Sequence, residues 1–382
     1  MKKRKILVLL AATEMPWLID AVHDALRSLD KRVFAVQVYV LQFHPQESIS
    51  RCSEEEGLSW NVLRVNSWLF QLARWFHHVT GLPFLLRYLG GGIQGTYSVG
   101  MGINGGNRMD LLYYNAARID KRMLWLHADL QSFAWFRQRV AGENSEITPF
   151  ERRLDKTDWL LAGSSQVYRA IGKGLERMQD LRLVYPPVDR YRVQSRSERS
   201  TIVRMDSHVF NMVAVGPLSP VQGFDLLLTA LTLVKRNYPR FHLYLVGEGK
   251  LLDFLRLHCL DEGLSDYVSF LRKVANYQAL IKRADLFVNS SYTESYPIPL
   301  IEALHLGKPI VATKVAGNEE LLEKGTFGLL CHPDKDALSE AILRMIGDPE
   351  LRKRYAQLSG KRSVQILHQA NRYGLEDFLL KY

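Results

Sequence analysis

Residues 286–313 read LFVNSSYTESYPIPLIEALHLGKPIVAT, and the fold reading grows from this stretch. Leu286–Ser290 is a short apolar run closed by polar residues, the mark of a buried strand. Pro299–Leu306 has helical character, with Pro299 suited to a helix start. Pro309–Thr313 is a second apolar run of strand length. Strand, helix and strand in quick succession argue for a βαβ unit and a parallel sheet.

The same alternation extends in both directions. Further strands are expected at Phe210–Gly216, His242–Gly247, Val268–Leu271 and Gly328–Cys331. Helices are expected at Phe224–Arg236, Leu251–Glu262, Tyr277–Lys282, Glu319–Glu323 and Lys335–Ile346. In the first half, strands are expected at Lys5–Leu10, Arg32–Val40, Met109–Tyr114, Met123–His127 and Trp159–Ala162, with helices at Trp17–Leu29 and Pro149–Lys156. The glycine-rich GGGIQGTYSVGMGINGG, residues 90–106, reads as a mobile surface loop. VYPPVDRYRVQSRSERS, residues 184–200, is stiffened by Pro186 and Pro187; its polar, basic run has nothing to bury and marks a domain boundary. The expected architecture is α/β: two doubly wound domains facing each other across a cleft, with ligands at the carboxyl ends of the strands.

A chain of 382 residues has room for two or three domains and a sizeable core without disulfides or metals. Its formal charge of +10 favours an anionic partner, yet no nucleic-acid-binding module accompanies it. Cys52, Cys259 and Cys331 are too few and too scattered for a disulfide framework or a zinc knuckle. The opening MKKRKILVLLAATEMPW has a basic front and an apolar run, but the run stops after Ala12 and reads as a first strand. No stretch approaches the ~18 apolar residues of a spanning helix, and a cytoplasmic location is expected.

The chemistry concentrates after the Leu286–Ser290 strand. Glu294 falls in the following loop and Glu302 in the first turns of the next helix. A helix start at a strand's carboxyl end offers N–H groups and a positive dipole to an anion. Carboxylates beside such a site suit the hydroxyls of a sugar. Phosphate and sugar together mean a nucleotide-sugar.

On these residues the sequence resembles the retaining GT-B glycosyltransferases of group 1, also called family 4. The resemblance rests on E-x7-E (Glu294 to Glu302), on Gly307-Lys308-Pro309, on VAGNEEL with Gly317 and Glu319, and on AVGPLSPVQGFDLLLTAL. It runs almost throughout residues 210–347; earlier it shows only in WLHADL, LLAGSS and VYPPVD. The resemblance implies a GT-B fold with an acceptor-side domain over residues 1–190, a nucleotide-sugar domain over 191–360, and a tail, 361–382, that crosses back. It implies that Glu294 contacts the donor sugar and Glu302 the ribose, with Gly216, Ser295, Tyr296, Pro297 and Ile298 around the donor. It implies that His127 stands near the reacting centre; Asp129 either orients His127 on the acceptor side or caps the next helix. It further implies hexosyl transfer from a nucleotide-sugar, read here as a UDP-sugar, to a glycan or lipid-linked acceptor, without a metal ion or other cofactor.

Two departures stand out. The family's usual diphosphate-binding Arg and Lys are replaced by Pro217 and Gln222. Arg272 and Lys273 are the expected replacement charges; the alternative is a catalytically degenerate subunit that binds glycan or partners an active transferase. Asp334-Lys335-Asp336 reads as a helix cap rather than a metal motif. The tail cations Arg352, Lys353, Arg354, Lys361 and Arg362 read as a solvated helix face. Val65–Gly90 is rich in aromatics, carries Arg74 and Arg87 and holds no acid; it reads either as a shallow insertion at an anionic bilayer or as two core helices.

Overall fold

The computed structural model describes residues 3–11, 16–42, 57–104, 109–115, 117–127, 156–174, 180–201, 203–272, 274 and 276–381. Two compact units divide the chain: Met1–Pro187 together with Arg372–Tyr382, and Val188–Asn371. Each is built on one parallel sheet.

The first unit runs β1 (Arg4–Ala11), α1 (Pro16–Arg27), β2 (Phe34–Gln42), β3 (Leu58–Arg64), α2 (Ser67–Thr80), α3 (Phe84–Leu89), β4 (Thr96–Ile103), α4 (Asp110–Tyr113), β5 (Arg118–Leu126), β6 (Trp159–Ala162), α5 (Ser165–Gly174) and β7 (Leu181–Leu183). Its strands lie in the order β3-β2-β1-β4-β5-β6-β7. From Ile6 to Leu10 strand β1 is apolar and buried because both its faces are covered. Ile6, Val8 and Leu10 pack toward Leu18 and Val22, while Leu7 and Leu9 pack toward Phe70, Ala73 and Leu86.

The sequence reading fails at three places here, each for a physical reason. Residues 96–103 form β4, paired on both sides with β1 and β5, where a loop was expected. Val99, Met101 and Ile103 face the core; Gly100 and Gly102 supply the smooth face on which α4 settles. A Cβ on Gly100 would stand 2.9 Å from Ile119 Cγ2 and 3.0 Å from Leu112 Cδ1. Residues 110–113, expected as strand, are the short helix α4, since a brief apolar run has no periodicity to separate the two. The edge strands β3 and β7 escape notice because half-exposed edges lack a continuous apolar run. The expected helix Pro149–Lys156 lies almost wholly outside the described residues. Cys52 does too; Cys259 and Cys331 are both free.

The second unit runs α6 (Arg190–Glu198), β8 (Phe210–Val215), α7 (Phe224–Asn237), β9 (Phe241–Val246), α8 (Leu252–Asp261), β10 (Val268–Leu271), α9 (Tyr277–Arg283), β11 (Leu286–Asn289), α10 (Ile298–His305), β12 (Ile310–Thr313), α11 (Ala316–Leu321), β13 (Leu329–Cys331), α12 (Lys335–Gly347) and α13 (Pro349–Arg372). Its sheet order, β10-β9-β8-β11-β12-β13, reverses direction between β8 and β11. A last helix, α14 (Leu375–Lys381), belongs to the first unit. Its Leu375, Phe378 and Leu379 join the Ile6 cluster, and Arg4 Nη1 donates to Leu379 O at 2.7 Å.

Two polar runs are not the solvated segments expected. Within 184–200, Asp189 caps α6 by accepting from the Tyr191 and Arg192 amides, and Val193 and Ser197, one turn apart, are buried. A single buried stripe in so basic a helix leaves little trace in composition. In the tail, Lys353, Arg354 and Lys361 are exposed, but Arg362 is buried and donates to Leu321 O at 2.7 Å and Glu320 O at 3.0 Å. Arg352 likewise donates to Ile346 O at 2.8 Å. Asp334 does cap its helix, α12, through the Ala337 amide.

Two glycine replacements separate packing from propensity. Gly100→Val overpacks the α4 interface and is expected to cost about 1–3 kcal/mol of unfolding free energy. Gly360→Ala, in α13 with nothing within 4 Å of the added carbon, is expected to gain up to about 1 kcal/mol. Urea unfolding of both variants measures the difference.

Candidate functional site

Three loops meet at the carboxyl ends of β8, β11 and β12, at the point where the strand order reverses. The loop after β8, from Gly216 to Gly223, lies against the loop after β11. The Tyr292 amide donates to Val221 O at 2.9 Å, and Ser290 Oγ donates to Gln222 O at 3.0 Å. Gly223 sits at φ +59°, and a Cβ there would fall 2.1 Å from Ser290 O. The loop after β12 closes on the other side, where the Gly317 amide donates to Glu294 O at 3.0 Å. A Cβ on Gly317 would fall 2.6 Å from that oxygen, so only glycine permits the approach.

A buried polar network fixes the loop that carries Glu294. Asn318 Nδ2 donates to Asn289 Oδ1 at 3.0 Å and to Thr313 O at 2.9 Å, and Thr313 Oγ1 donates to Ser291 O at 2.6 Å. The Glu294 carboxylate is half-buried; its Oε2 accepts from Ser291 Oγ at 2.9 Å and from Gln222 Nε2 at 3.4 Å. Ser295 is buried, and its hydroxyl has no hydrogen-bond partner among the described residues. Tyr296, Pro297 and Ile298 are buried too and lead the chain into α10. The backbone of Gly216 closes β8, and its missing side chain leaves room for the Gln222 amide, whose Oε1 would be 2.3 Å from an added Cβ. Gln222 thus stands where it meets Glu294, and brings a neutral amide rather than a cation.

Glu302 is fully buried, and its oxygens are engaged by protein. The Tyr277 hydroxyl donates to Oε2, Gln278 Nε2 donates to Oε1 at 3.0 Å, and Arg192 Nη1 lies 3.7 Å from Oε1. Three elements, α6, α9 and α10, therefore converge on one carboxylate. Arg192, Tyr277 and Gln278 were missed in the sequence because nothing local marks them; only the fold brings them to Glu302. The signal for Asn289 and Thr313 was present, a polar residue closing an apolar strand; Asn318, within the polar AGNEEL, carries no such mark.

Of the expected replacement cations, Arg272 is exposed at the end of β10, with Nε 3.9 Å from Glu248 Oε1 on the neighbouring turn. Lys273 lies outside the described residues, as does Asp129. His127 belongs to the first unit and follows β5. Its backbone amide donates to Asn104 Oδ1 at 2.9 Å, while its ring lies 4.6 Å from that of Trp125. Neither ring nitrogen has a hydrogen-bond partner among the described residues. Burial pushes its pKa down to about 3, so the imidazole is neutral at physiological pH. Among the described residues, no group of three His, Cys, Asp or Glu side chains is placed to hold a metal ion.

With this geometry in place, the comparisons with known proteins bear directly on the site. Residues 200–362 match the family of glycosyl transferases group 1. An uncharacterized glycosyltransferase of Haemophilus influenzae is 28% identical over 170 residues, 44% of this chain and 46% of that protein. A D-inositol 3-phosphate glycosyltransferase of Corynebacterium jeikeium is 26% identical over 286 residues, covering 64% of this chain and 68% of that protein. The chain thus spans about half the length of the first relative and two-thirds of the second. Among solved structures, Anabaena HepE in complex with UDP and glucose aligns with a TM-score of 0.65 at 19% identity, over 97% of this chain and 98% of that one. Sucrose-phosphate synthase of Thermosynechococcus elongatus aligns with a TM-score of 0.70 at 16% identity, over 99% and 98% of the two chains. The fold is GT-B.

Glu302→Ala strands the Arg192 guanidinium and two donors in a dry environment, and a loss of about 3–5 kcal/mol in unfolding free energy is expected by chemical denaturation. His305, also buried on α10, donates from Nε2 to Val188 O and accepts at Nδ1 from Ser363 Oγ. Burial pushes its pKa down to about 4, below the ordinary ~6.5. Between those values the unfolded chain binds more protons than the folded one, so stability is full above the upper value and falls as pH drops through the window. Thermal unfolding across that range is expected to show the decline, with a shallower slope for His305→Gln.

Proposed function

We propose that the chain is a retaining glycosyltransferase that moves a hexose from a UDP-sugar to a glycan or lipid-linked acceptor, in the synthesis of a cell-surface polysaccharide or glycoconjugate. One observation carries the reading. The half-exposed Glu294 carboxylate stands at the strand-order reversal of a six-stranded parallel sheet, within the segment that matches glycosyl transferases group 1. The UDP and glucose in the HepE structure support a UDP-sugar as donor, and the relatives' names support glycosyl transfer.

In this reading the second unit holds the donor. Glu294, oriented by Ser291 and Gln222, accepts hydrogen bonds from sugar hydroxyls. The buried Ser295 hydroxyl adds a polar contact, and Glu302 fixes α10 beneath the donor. The acceptor oxygen forms its bond to the anomeric carbon on the face from which the diphosphate departs; the acceptor proton passes to the leaving phosphate oxygen, and no metal ion takes part. His127, held neutral by burial, contributes a hydrogen bond to substrate rather than a proton. The diphosphate leaves with little help from the Pro217 and Gln222 positions, and Arg272 is the described cation assigned to it.

The second reading, a subunit that binds glycan or a partner without turnover, draws on one observation: Gln222 spends its amide on Glu294 and brings no charge to the phosphate site.

Calorimetry against a panel of nucleotide-sugars tests both. One donor is expected to bind, with affinity at least about tenfold weaker in Glu294→Ala, the loss of hydrogen bonds to a charged group. Gln222→Lys is expected to raise turnover, since one well-placed electrostatic donor contributes roughly 3–4 kcal/mol to a transition state. Chelation of divalent ions is expected to leave transfer unchanged. Failure of every donor to bind favours the subunit.

A further inference from the structure

Helix α2 has two faces. Phe70 and Ala73 are buried in the core, as expected of a core helix. His77 continues that face, one turn beyond Ala73. Trp68, Leu72, Trp75 and Val79 occupy the opposite side and are exposed. Where the buried face runs out, at the carboxyl end of α2, a cavity of about 450 Å³ opens. His77, Arg87 of α3, Tyr113 and Tyr114 at the end of α4, Arg122 of β5 and Lys156 before β6 line it.

Three cations converge there from separate elements. Arg122 shares the face of β5 that carries Leu124 and Leu126, and its Nε lies 3.5 Å from Leu112 O. Lys156 Nζ donates to the Tyr114 hydroxyl at 2.7 Å and sits 4.7 Å from the centre of that ring; the same hydroxyl is 2.9 Å from His77 Nε2. The Arg87 side chain is exposed and makes no hydrogen bond to a described residue. None of the three is in an ion pair with a described residue, and no carboxylate is among the described residues that line the cavity. The neighbouring acids are engaged elsewhere: Arg74 Nε holds Asp110 at 2.9 Å, and Lys121 Nζ holds Asp158 at 2.8 Å. Burial, and after it the Lys156 charge, push the His77 pKa below its ordinary value against the opposing pull of Asp110. The Lys156 contribution registers the excess of positive charge.

Cations gathered without acids repel one another, and a bound anion removes that cost. Phosphate is the anion these donors suit: two guanidinium groups offer forked N–H donors to its oxygens, and Lys156 adds a point charge. The exposed tryptophans of α2 stand on the far side of the helix from His77, so they give a lipid tail no apolar surface beside the cavity. The ligand is therefore small and water-soluble. We propose that the cavity formed by Arg87, Arg122 and Lys156 binds the phosphate group of a small, water-soluble phosphate ester. The site lies wholly in the first unit. It is distinct from the His127 position, since Arg122 and His127 are five residues apart on an extended chain, roughly 16 Å. The assignment goes beyond glycosyl transfer and does not rest on it.

Calorimetric titration of the full chain with inorganic phosphate and with glycerol phosphate, in low-chloride buffer, tests it. Both probes are expected to bind. Arg122→Gln with Lys156→Gln is expected to weaken binding at least about tenfold, the loss of hydrogen bonds to a charged group. Arg87→Gln, at an exposed side chain that supports nothing in the fold, is expected to weaken it about threefold to fivefold, the scale of an exposed ion pair. Circular dichroism confirms that the variants fold. The His77 ring, followed by NMR in a histidine-labelled chain, is expected to titrate at higher pH when phosphate is bound, because a nearby anion favours the protonated form. Binding that neither variant changes overturns the proposal, the anion then lying elsewhere on the chain. So does a His77 titration that phosphate leaves unmoved. Failure of both soluble probes to bind overturns it as well, and binding to phosphatidylglycerol vesicles in that case assigns the cations to a lipid surface instead.

Discussion

Backbone-to-backbone contact at the carboxyl end of the second sheet is the constraint on which the candidate site depends. Where main chains of adjacent loops touch, neither can carry a side chain at the point of contact. Gly223 against Ser290 O, Gly317 against Glu294 O and Gly247 against Gly216 O are such points, the last at 1.9 Å for a Cβ that is not there. The contact does two things at once. It forces the loop that carries Glu294 into one path, and it brings the main chains of three loops together at the carboxyl end of the sheet. The buried Asn289, Thr313 and Asn318 then satisfy the polar groups that so tight a junction would otherwise strand.

Electrostatics follow from this geometry. Glu302 is buried and engaged by three protein donors, whereas the Glu294 carboxylate is half-exposed. Two carboxylates eight residues apart thus receive different tasks from their surroundings. Glu302 ties α6, α9 and α10 together, whereas Glu294 presents a half-exposed carboxylate in the loop after β11. Gln222 belongs to the same logic, since a neutral amide beside Glu294 orients the carboxylate without neutralising it. That position therefore brings no formal charge to the half-exposed carboxylate.

The second unit was legible in the sequence almost element by element, because strands buried on both faces appear as short apolar runs and most loops after them are marked by Gly, Pro or Ser. The site was legible as far as Glu294, Glu302 and the glycines. Its partners were not, for Arg192, Tyr277 and Gln278 reach Glu302 only through the packing of separate helices. The first unit was read less well for reasons visible in β4. There the sequence signal of a loop, the glycines at 100 and 102, is the signature of a strand whose helix sits unusually close. The polar helix α6 hid in the same way, its burial confined to Val193 and Ser197.

That contrast also explains why the match to glycosyl transferases group 1 begins at residue 200. A junction held by main-chain contact tolerates few substitutions, so the second unit keeps a recognisable pattern of glycines and acids. The first unit is held by side-chain packing over two faces of a seven-stranded sheet, and hydrophobic residues of similar volume replace one another there at little cost. Its sequence is therefore free to be shaped by whatever its surface meets. Helix α2 shows the result: Phe70 and Ala73 meet the core's demand, and Trp68 and Trp75 on the opposite side face outward.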